Sequence, residues 1–385
     1  MTAEDGAAVG EQSQGEPRPT GLARLAMLDL MRTVALLRVV AFHVTGVDAL
    51  TLVASMPVMF FVAGALYARS MQTRSAPTVI RDRFRRILPA LWAYATFLVI
   101  LYASKGLLSP TWGDVPGPDG SVAELGIYHT LQLFIPVIGP GAPVGPGTPD
   151  QAVFWTWNPL WYLHTHLFLS LLGAIYLPCY KRWFKATLGV LGAIWLLDAV
   201  GSGGTTNTFT FTLFFVAGFA FTDGRLLAVA RRKVRLAVPV FLVLGVAFLP
   251  LASSLSINQW APSLLFIGAM WVAVSLGWRE LLEQVAVGAV FRPLISFVNR
   301  RALTIYLWSL LGVYLSRTWF PVEGGLLQLS GIAIVSLTLT TAVVLACCVL
   351  FGWIEDVAAR RPAEWWPGVP VRRRLQSAAG GSPTT

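Results

Sequence analysis

LDLMRTVALLRVVAFHVTG, residues 28–46, is the stretch on which the reading of this chain turns. It is long and apolar enough to cross a bilayer, yet it carries Asp29, Arg32, Arg38 and His43. On insertion scales an Asp or Arg at mid-helix costs roughly 2.5–3.5 kcal/mol, so a spanning helix of this sequence must face protein or water rather than lipid. At 100° per residue, Arg32 and His43 fall about 20° apart around the axis and roughly 16 Å apart along it, on one polar stripe. Asp29 and Arg32, three residues apart, are neighbours on that stripe and are expected to pair. In a soluble bundle such groups read as satisfied core residues, whereas inside a membrane an ionisable residue points to function.

Moving outward, the rest of the chain is of the same kind. Of 385 residues, 55% are hydrophobic and 12% charged, and the mean hydropathy is +0.65. This excludes an ordinary soluble enzyme. Apolar stretches recur near 26–46, 49–69, 87–104, 158–178, 186–202, 207–222, 236–253, 260–277, 301–318 and 328–352. Each approaches the roughly 20 residues that a helix needs to cross the hydrocarbon core. No train of ~10-residue alternating segments, the mark of a transmembrane barrel, is visible. The expected fold is therefore all-α, a polytopic integral membrane helical bundle of about ten transmembrane helices.

The net charge of +10 is explained by where the basic residues sit, not by nucleic acid. Arg69, Arg74, Arg81, Arg83, Arg85 and Arg86 lie between the second and third stretches, and Lys181, Arg182 and Lys185 between the fourth and fifth. Arg225, Arg231, Arg232, Lys233 and Arg235 follow the sixth, while Arg279, Arg292, Arg300 and Arg301 follow the eighth. The positive-inside rule places these alternate loops in the cytoplasm, with both termini. Residues 121–139 could pass for another span, but a crossing there would turn every later basic loop outward. They are read as an interfacial or re-entrant piece of a long external loop, about 105–157, which includes the string GPGAPVGPG.

Three segments follow: a polar, disordered cytoplasmic lead-in over 1–22, a membrane domain over 23–355, and a basic, polar cytoplasmic tail over 356–385. Cys179, Cys347 and Cys348 have no disulfide or metal spacing and read as packing residues. His164 and His166, two apart on a helix, point in different directions, so no metal is expected. Phe60-Phe61-Val62-Ala63-Gly64 recurs as Phe214-Phe215-Val216-Ala217-Gly218, an echo that close helix packing in lipid explains.

Leu28-Asp29, Arg32 and, after ten intervening residues, His43 form a pattern that resembles the first span of the acyltransferase-3 family, membrane enzymes that acylate sugars, envelope polymers and secondary metabolites. Further matches follow in family order: Phe60, Phe61 and Gly64; Arg85-Arg86-Ile87 with Pro89 and Trp92; Leu160-Trp161-Tyr162-Leu163; and Ile305-Tyr306-Leu307-Trp308. The resemblance covers about Leu28 to Glu355. It departs from the common pattern at Ala63, where serine is usual, at Ser309, where histidine is frequent, and at His166, where many relatives have glutamate.

The resemblance implies an acyl-CoA donor and an acceptor hydroxyl or amine on a carbohydrate or other small molecule; acetyl-CoA is the default donor because the sequence shows no evident long apolar tunnel. It also implies His43 as the catalytic histidine with Arg32 as its partner. On that basis His43 is the general base, Arg32 holds donor phosphate or the oxyanion, and Asp29 orients Arg32. Arg85, Arg86 and Arg38 are secondary candidates for the donor phosphates; Trp161, Tyr306 and His166 are candidates for substrate contact. The competing class is a proton-coupled transporter using Arg32 and His43 as a relay.

Overall fold

The computed structural model describes residues 21–53, 55–116, 122–136, 151–157, 160–201, 207–247, 261–321 and 331–367. Each of the ten apolar stretches overlaps an α-helix among its described residues. These are α1 (Gly21–Thr45), α2 (Ser55–Ser70), α3 (Ala76–Ser104), α6 (Trp161–Arg182), α7 (Phe184–Gly201), α8 (Thr208–Thr222), α9 (Arg225–Ala247), α10 (Ala261–Gly277), α13 (Ala302–Trp319) and α14 (Gly331–Ala358). By length and composition, five helical segments are able to cross a membrane, or six if α10 and the following α11 (Arg279–Val287), bent by 74°, count as one span. Large apolar side chains stand on outer faces, among them Leu197 and Val200 of α7 and Val243 of α9. Surfaces of that extent suit lipid rather than water.

The long connection before α6 departs from an all-helical reading. Val115–Pro116 (β1) pairs antiparallel with Val122–Glu124 (β2), and two short helices follow, α4 (Ile127–Phe134) and α5 (Gln151–Trp157). Eight residues of α4 reach only roughly 12 Å, too short to cross. Asp114 ties the open ends of the strand pair together: its carboxylate accepts the Gly126 N–H at 2.9 Å and faces His129 Nδ1 at 2.7 Å. The GPGAPVGPG string, the lead-in over 1–20 and the tail beyond 367 lie outside the described residues.

The packing centre is the contact of α2 with α8, where the two copies of Phe-Phe-Val-Ala-Gly meet each other. A Cβ on Gly64 would stand 1.9 Å from the Phe215 carbonyl oxygen, and one on Gly218 would stand 2.3 Å from the Phe61 carbonyl oxygen. Each glycine thus admits the backbone of the other copy, the close approach that small residues permit in lipid. The phenylalanines fill the space beside this contact: Phe60 stacks on Phe211, and Phe61 meets Phe221 edge-on.

A second knot joins α12 (Arg292–Arg300), α13 and α14. Arg301 and Asp356 are both fully buried and paired at 2.8 Å. Arg301 also donates to the Gly352 and Glu364 carbonyls, and Arg300 bonds Asp356 at 2.9 Å and Glu364 at 2.8 Å. These carboxylates hold the Arg300 guanidinium above its ordinary pKa, Asp356 first. The sequence reading treated Arg300 and Arg301 as topology signals; here they also close the bundle against residues 356–364.

Candidate active site

Why the polar stripe of α1 ends where it does is local. Gly46 takes φ +65°, a conformation favourable to glycine, and its N–H caps the Phe42 carbonyl at 2.8 Å. His43 is thereby placed in the last turn of α1, and Arg32 roughly three turns earlier.

Arg32 lines a cavity of about 940 Å³ formed by α1, α2, α3, α6, α8, α12, α13 and α14. Its wall carries eight arginines, Arg32, Arg69, Arg74, Arg83, Arg85, Arg86, Arg300 and Arg361, against two acids, Asp82 and Glu355. Several of these cations are already engaged. Arg74 and Arg85 pair with Asp82 at 3.0 and 3.2 Å. Arg83 donates to the Ala63 carbonyl at 3.1 Å, lies over the Tyr67 ring, and faces His166 Nε2 at 3.4 Å. Glu355 accepts from the backbone N–H of Thr304 and, at 2.5 Å, from its hydroxyl.

The side chains of Arg32, Arg86 and Arg361 differ from the rest, since none makes a hydrogen bond or a salt bridge with a described residue. The expected Asp29–Arg32 pair does not form within 4.0 Å among the described residues. Instead the Asp29 backbone carbonyl accepts from Thr33 Oγ1 and Asn299 Nδ2, which ties α1 to α12. Guanidiniums without such partners on one wall have the chemistry to take an anion with several oxygens, which arginine recognises in a bidentate manner.

His43 does not line this cavity. It lies at the other end of α1, with Trp155 of α5 edge-on at 6.5 Å. Arg317 of α13 donates to the His43 carbonyl at 3.2 Å and sits over the Trp155 ring. The imidazole nitrogens make no hydrogen bond with a described residue. α5 is held there by α3, because Tyr94 donates to the Thr156 carbonyl and Tyr102 bonds the Thr156 hydroxyl at 2.7 Å, all in the buried core. Trp155 falls within the segment 105–157 read as an external loop, and the fold makes it a neighbour of His43.

Of the other candidates, Arg85, Arg86, Tyr306 and His166 line the cavity and the Arg38 and Trp161 side chains do not. Arg38 donates to the Leu50 carbonyl at 2.5 Å and lies over Phe42. Trp161 stacks on Phe211 at 5.1 Å. Of the departures from the family pattern, Ser309 is buried and bonds back to the Tyr306 carbonyl, and Ala63 serves the site through its backbone carbonyl. Sequence reasoning missed Tyr162, Asn299 and Glu355 as cavity residues. Tyr162 was within reach, lying inside the Leu-Trp-Tyr-Leu motif. Among the described residues no three His, Cys, Asp or Glu side chains come together as a metal site would require.

A family model described as an acyltransferase domain, Acyl_transf_3, matches residues 25–353. No curated protein and no solved structure matches the chain.

Proposed function

Because the chain belongs to the acyltransferase-3 family of membrane acyltransferases, we propose that its arginine-lined cavity receives the phosphates of an acyl-CoA donor, acetyl-CoA by default, and that His43 serves the acceptor. The observation that carries this reading is a set of guanidiniums without a described hydrogen-bond or salt-bridge partner, Arg32 and Arg86 with Arg361 beside them, in a cavity of about 940 Å³. Arg32 holds donor phosphate, Arg86 is the second contact, and Arg85 is fixed by Asp82 beside them. The linear pantetheine arm then runs along α1 toward His43, roughly 16 Å away.

In this scheme neutral His43 takes the proton of an acceptor hydroxyl or amine as that atom attacks the thioester carbonyl. The new O–C or N–C bond forms, the C–S bond breaks, and the thiolate of CoA leaves and takes up the proton that His43 received. Proton transfer of this kind is typically worth 10²–10⁴-fold in rate. Trp155 and Arg317 hold the last turn of α1 in place. The acceptor is a carbohydrate, envelope or secondary-metabolite group. The topology that fits is ten spans in the cell membrane with both termini and the arginine end of the bundle in the cytoplasm, where the donor is found.

The test is release of free thiol from acetyl-CoA by protein held in nanodiscs, comparing wild type with His43→Ala and Arg32→Ala. Wild type is expected to release thiol and both variants to lose at least 100-fold. Equal release by wild type and His43→Ala would remove His43 from the chemistry. Solute uptake driven by a proton gradient, without thioester consumption, would favour the transporter.

A further inference from the structure

The sequence assigns the connection between α10 and α13 to the cytoplasm on the strength of its arginines, yet the surface it presents is not that of a loop in water. α11 turns 74° away from α10, which lays it close to the membrane plane where α10 crosses. With nine residues each, α11 and α12 reach only roughly 13 Å, too short to cross. Both pack on α1. The turn that joins them, residues 287–294, reads VGAVFRPL and holds one charge, Arg292. Val287, Phe291 and Leu294 are each about half exposed, and Val290, at 81%, is the most exposed large apolar side chain among the described residues. A turn that faces water is ordinarily polar.

Tryptophans collect around this tip. Trp278 stands exposed at the joint of α10 and α11, and Trp365 and Trp366 are exposed beside α12, where the Trp366 ring meets that of Phe297 at 4.7 Å. Phe297 lies one turn on from Leu294, so the contact extends the same apolar face. Neighbouring charges are drawn off it: Arg279 pairs with Glu283 at 2.8 Å, both mostly buried, and Arg300 is held by Asp356 and Glu364. Glu280 and Gln284, four apart, form a separate exposed polar edge. Arg292 alone at the tip is charged and exposed, and its side chain makes no hydrogen bond or salt bridge with a described residue.

An apolar turn, exposed tryptophans and an unpaired arginine are what an element lying in the headgroup layer carries: acyl chains cover the first, the interface suits the second, and lipid phosphate meets the third. We infer that the α11–α12 hairpin is a lipid-binding element, which inserts residues 287–294 into the leaflet at the arginine end of the bundle, with Arg292 taking the phosphate of an anionic phospholipid. The inference is independent of what the cavity binds. It bears on the site through Asn299 of α12, whose amide donates to the Asp29 carbonyl at 2.9 Å and to Thr33 Oγ1 at 2.8 Å. The anchored hairpin thereby holds the turn of α1 that carries Arg32.

The test places a fluorophore at Val290→Cys or at Gln284→Cys, with Cys179→Ser removing the one native thiol that is not buried. The protein is held in phosphatidylcholine nanodiscs containing a small share of phosphatidylglycerol or phosphatidylcholine with a quenching nitroxide on the acyl chain, and iodide is the quencher from water. The label at 290 should be quenched by both lipids, about fivefold more strongly by phosphatidylglycerol, and poorly by iodide; the label at 284 should favour iodide. Adding Arg292→Gln should bring the two lipids level, whereas Arg292→Lys keeps the preference because it keeps the charge. Strong iodide quenching at 290 would overturn the insertion. Equal quenching by the two lipids, or a preference that survives Arg292→Gln, would overturn the phosphate contact. Shielding of position 290 from lipid and iodide alike would mean that a second copy of the chain covers the tip, and would overturn the inference as well.

Discussion

The contact between the two copies of Phe-Phe-Val-Ala-Gly makes a sharp prediction for Gly64→Ala. The added methyl would stand 1.9 Å from the Phe215 carbonyl oxygen and 2.7 Å from its carbonyl carbon. That is about 1.5 Å closer than an ordinary contact allows. Both obstacles are backbone, so no rotamer relieves them and α2 must move away from α8. Overpacking typically costs 1–3 kcal/mol, and with helix backbones as the obstacle about 3 kcal/mol or more is expected. For a domain of this size that lowers the melting temperature by roughly 5 °C or more. The movement also displaces the Ala63 carbonyl that holds Arg83, so donor binding should weaken as well. The assay is thermal unfolding followed by tryptophan fluorescence in detergent, with Gly189→Ala as control, since a Cβ there meets nothing within 4 Å. If Gly64→Ala melts with the control and with wild type, the close α2–α8 packing is wrong.

Other predictions test the remaining parts. Asp356→Ala leaves Arg301 buried without its carboxylate, and should cost about 3–5 kcal/mol, read as a loss of monodisperse, folded protein on heating; a melt unchanged from wild type would remove the knot from the account. Arg32→Lys keeps the charge but not the planar fork, so binding of acetyl-CoA should weaken about tenfold, measured by calorimetry in nanodiscs. Unchanged affinity would mean that Arg32 does not touch the donor. Tyr94→Phe and Tyr102→Phe each remove a buried bond to Thr156 worth about 1 kcal/mol. By loosening α5 and Trp155 beside His43 they should lower kcat while leaving the KM for acetyl-CoA in place; a change in KM alone would detach α5 from the chemistry.

Much of the helical framework was legible because lipid imposes length and hydropathy on each stretch, and because α1 cannot carry Asp29, Arg32 and His43 without an interior to face. The glycine echo was legible as packing, but not that each copy packs on the other, since a repeat carries no information about its partner. Arg300 and Arg301 lie at helix ends, where cations also set topology, so their burial against Asp356 depends on the distant return of α14 and cannot be read locally. The same holds for Glu355, whose partner Thr304 is 51 residues away. In the connector before α6 the strand pair was not legible, because apolar content alone does not distinguish a short amphipathic helix from a strand. Arg32 and His43 share one face of α1 as the period requires, yet α5 and α13 surround one while the cavity receives the other.

The account rests most directly on donor entry from the arginine end of the bundle. In proteoliposomes of known orientation, acetyl-CoA supplied to the face that bears Arg74 and Arg86 should be consumed with release of free thiol, and acetyl-CoA supplied only to the opposite face should not. Arg86→Ala and Arg32→Ala should lose the first signal. Consumption from the opposite face alone, undiminished in both variants, would contradict the placement of the donor and with it the division of labour between Arg32 and His43.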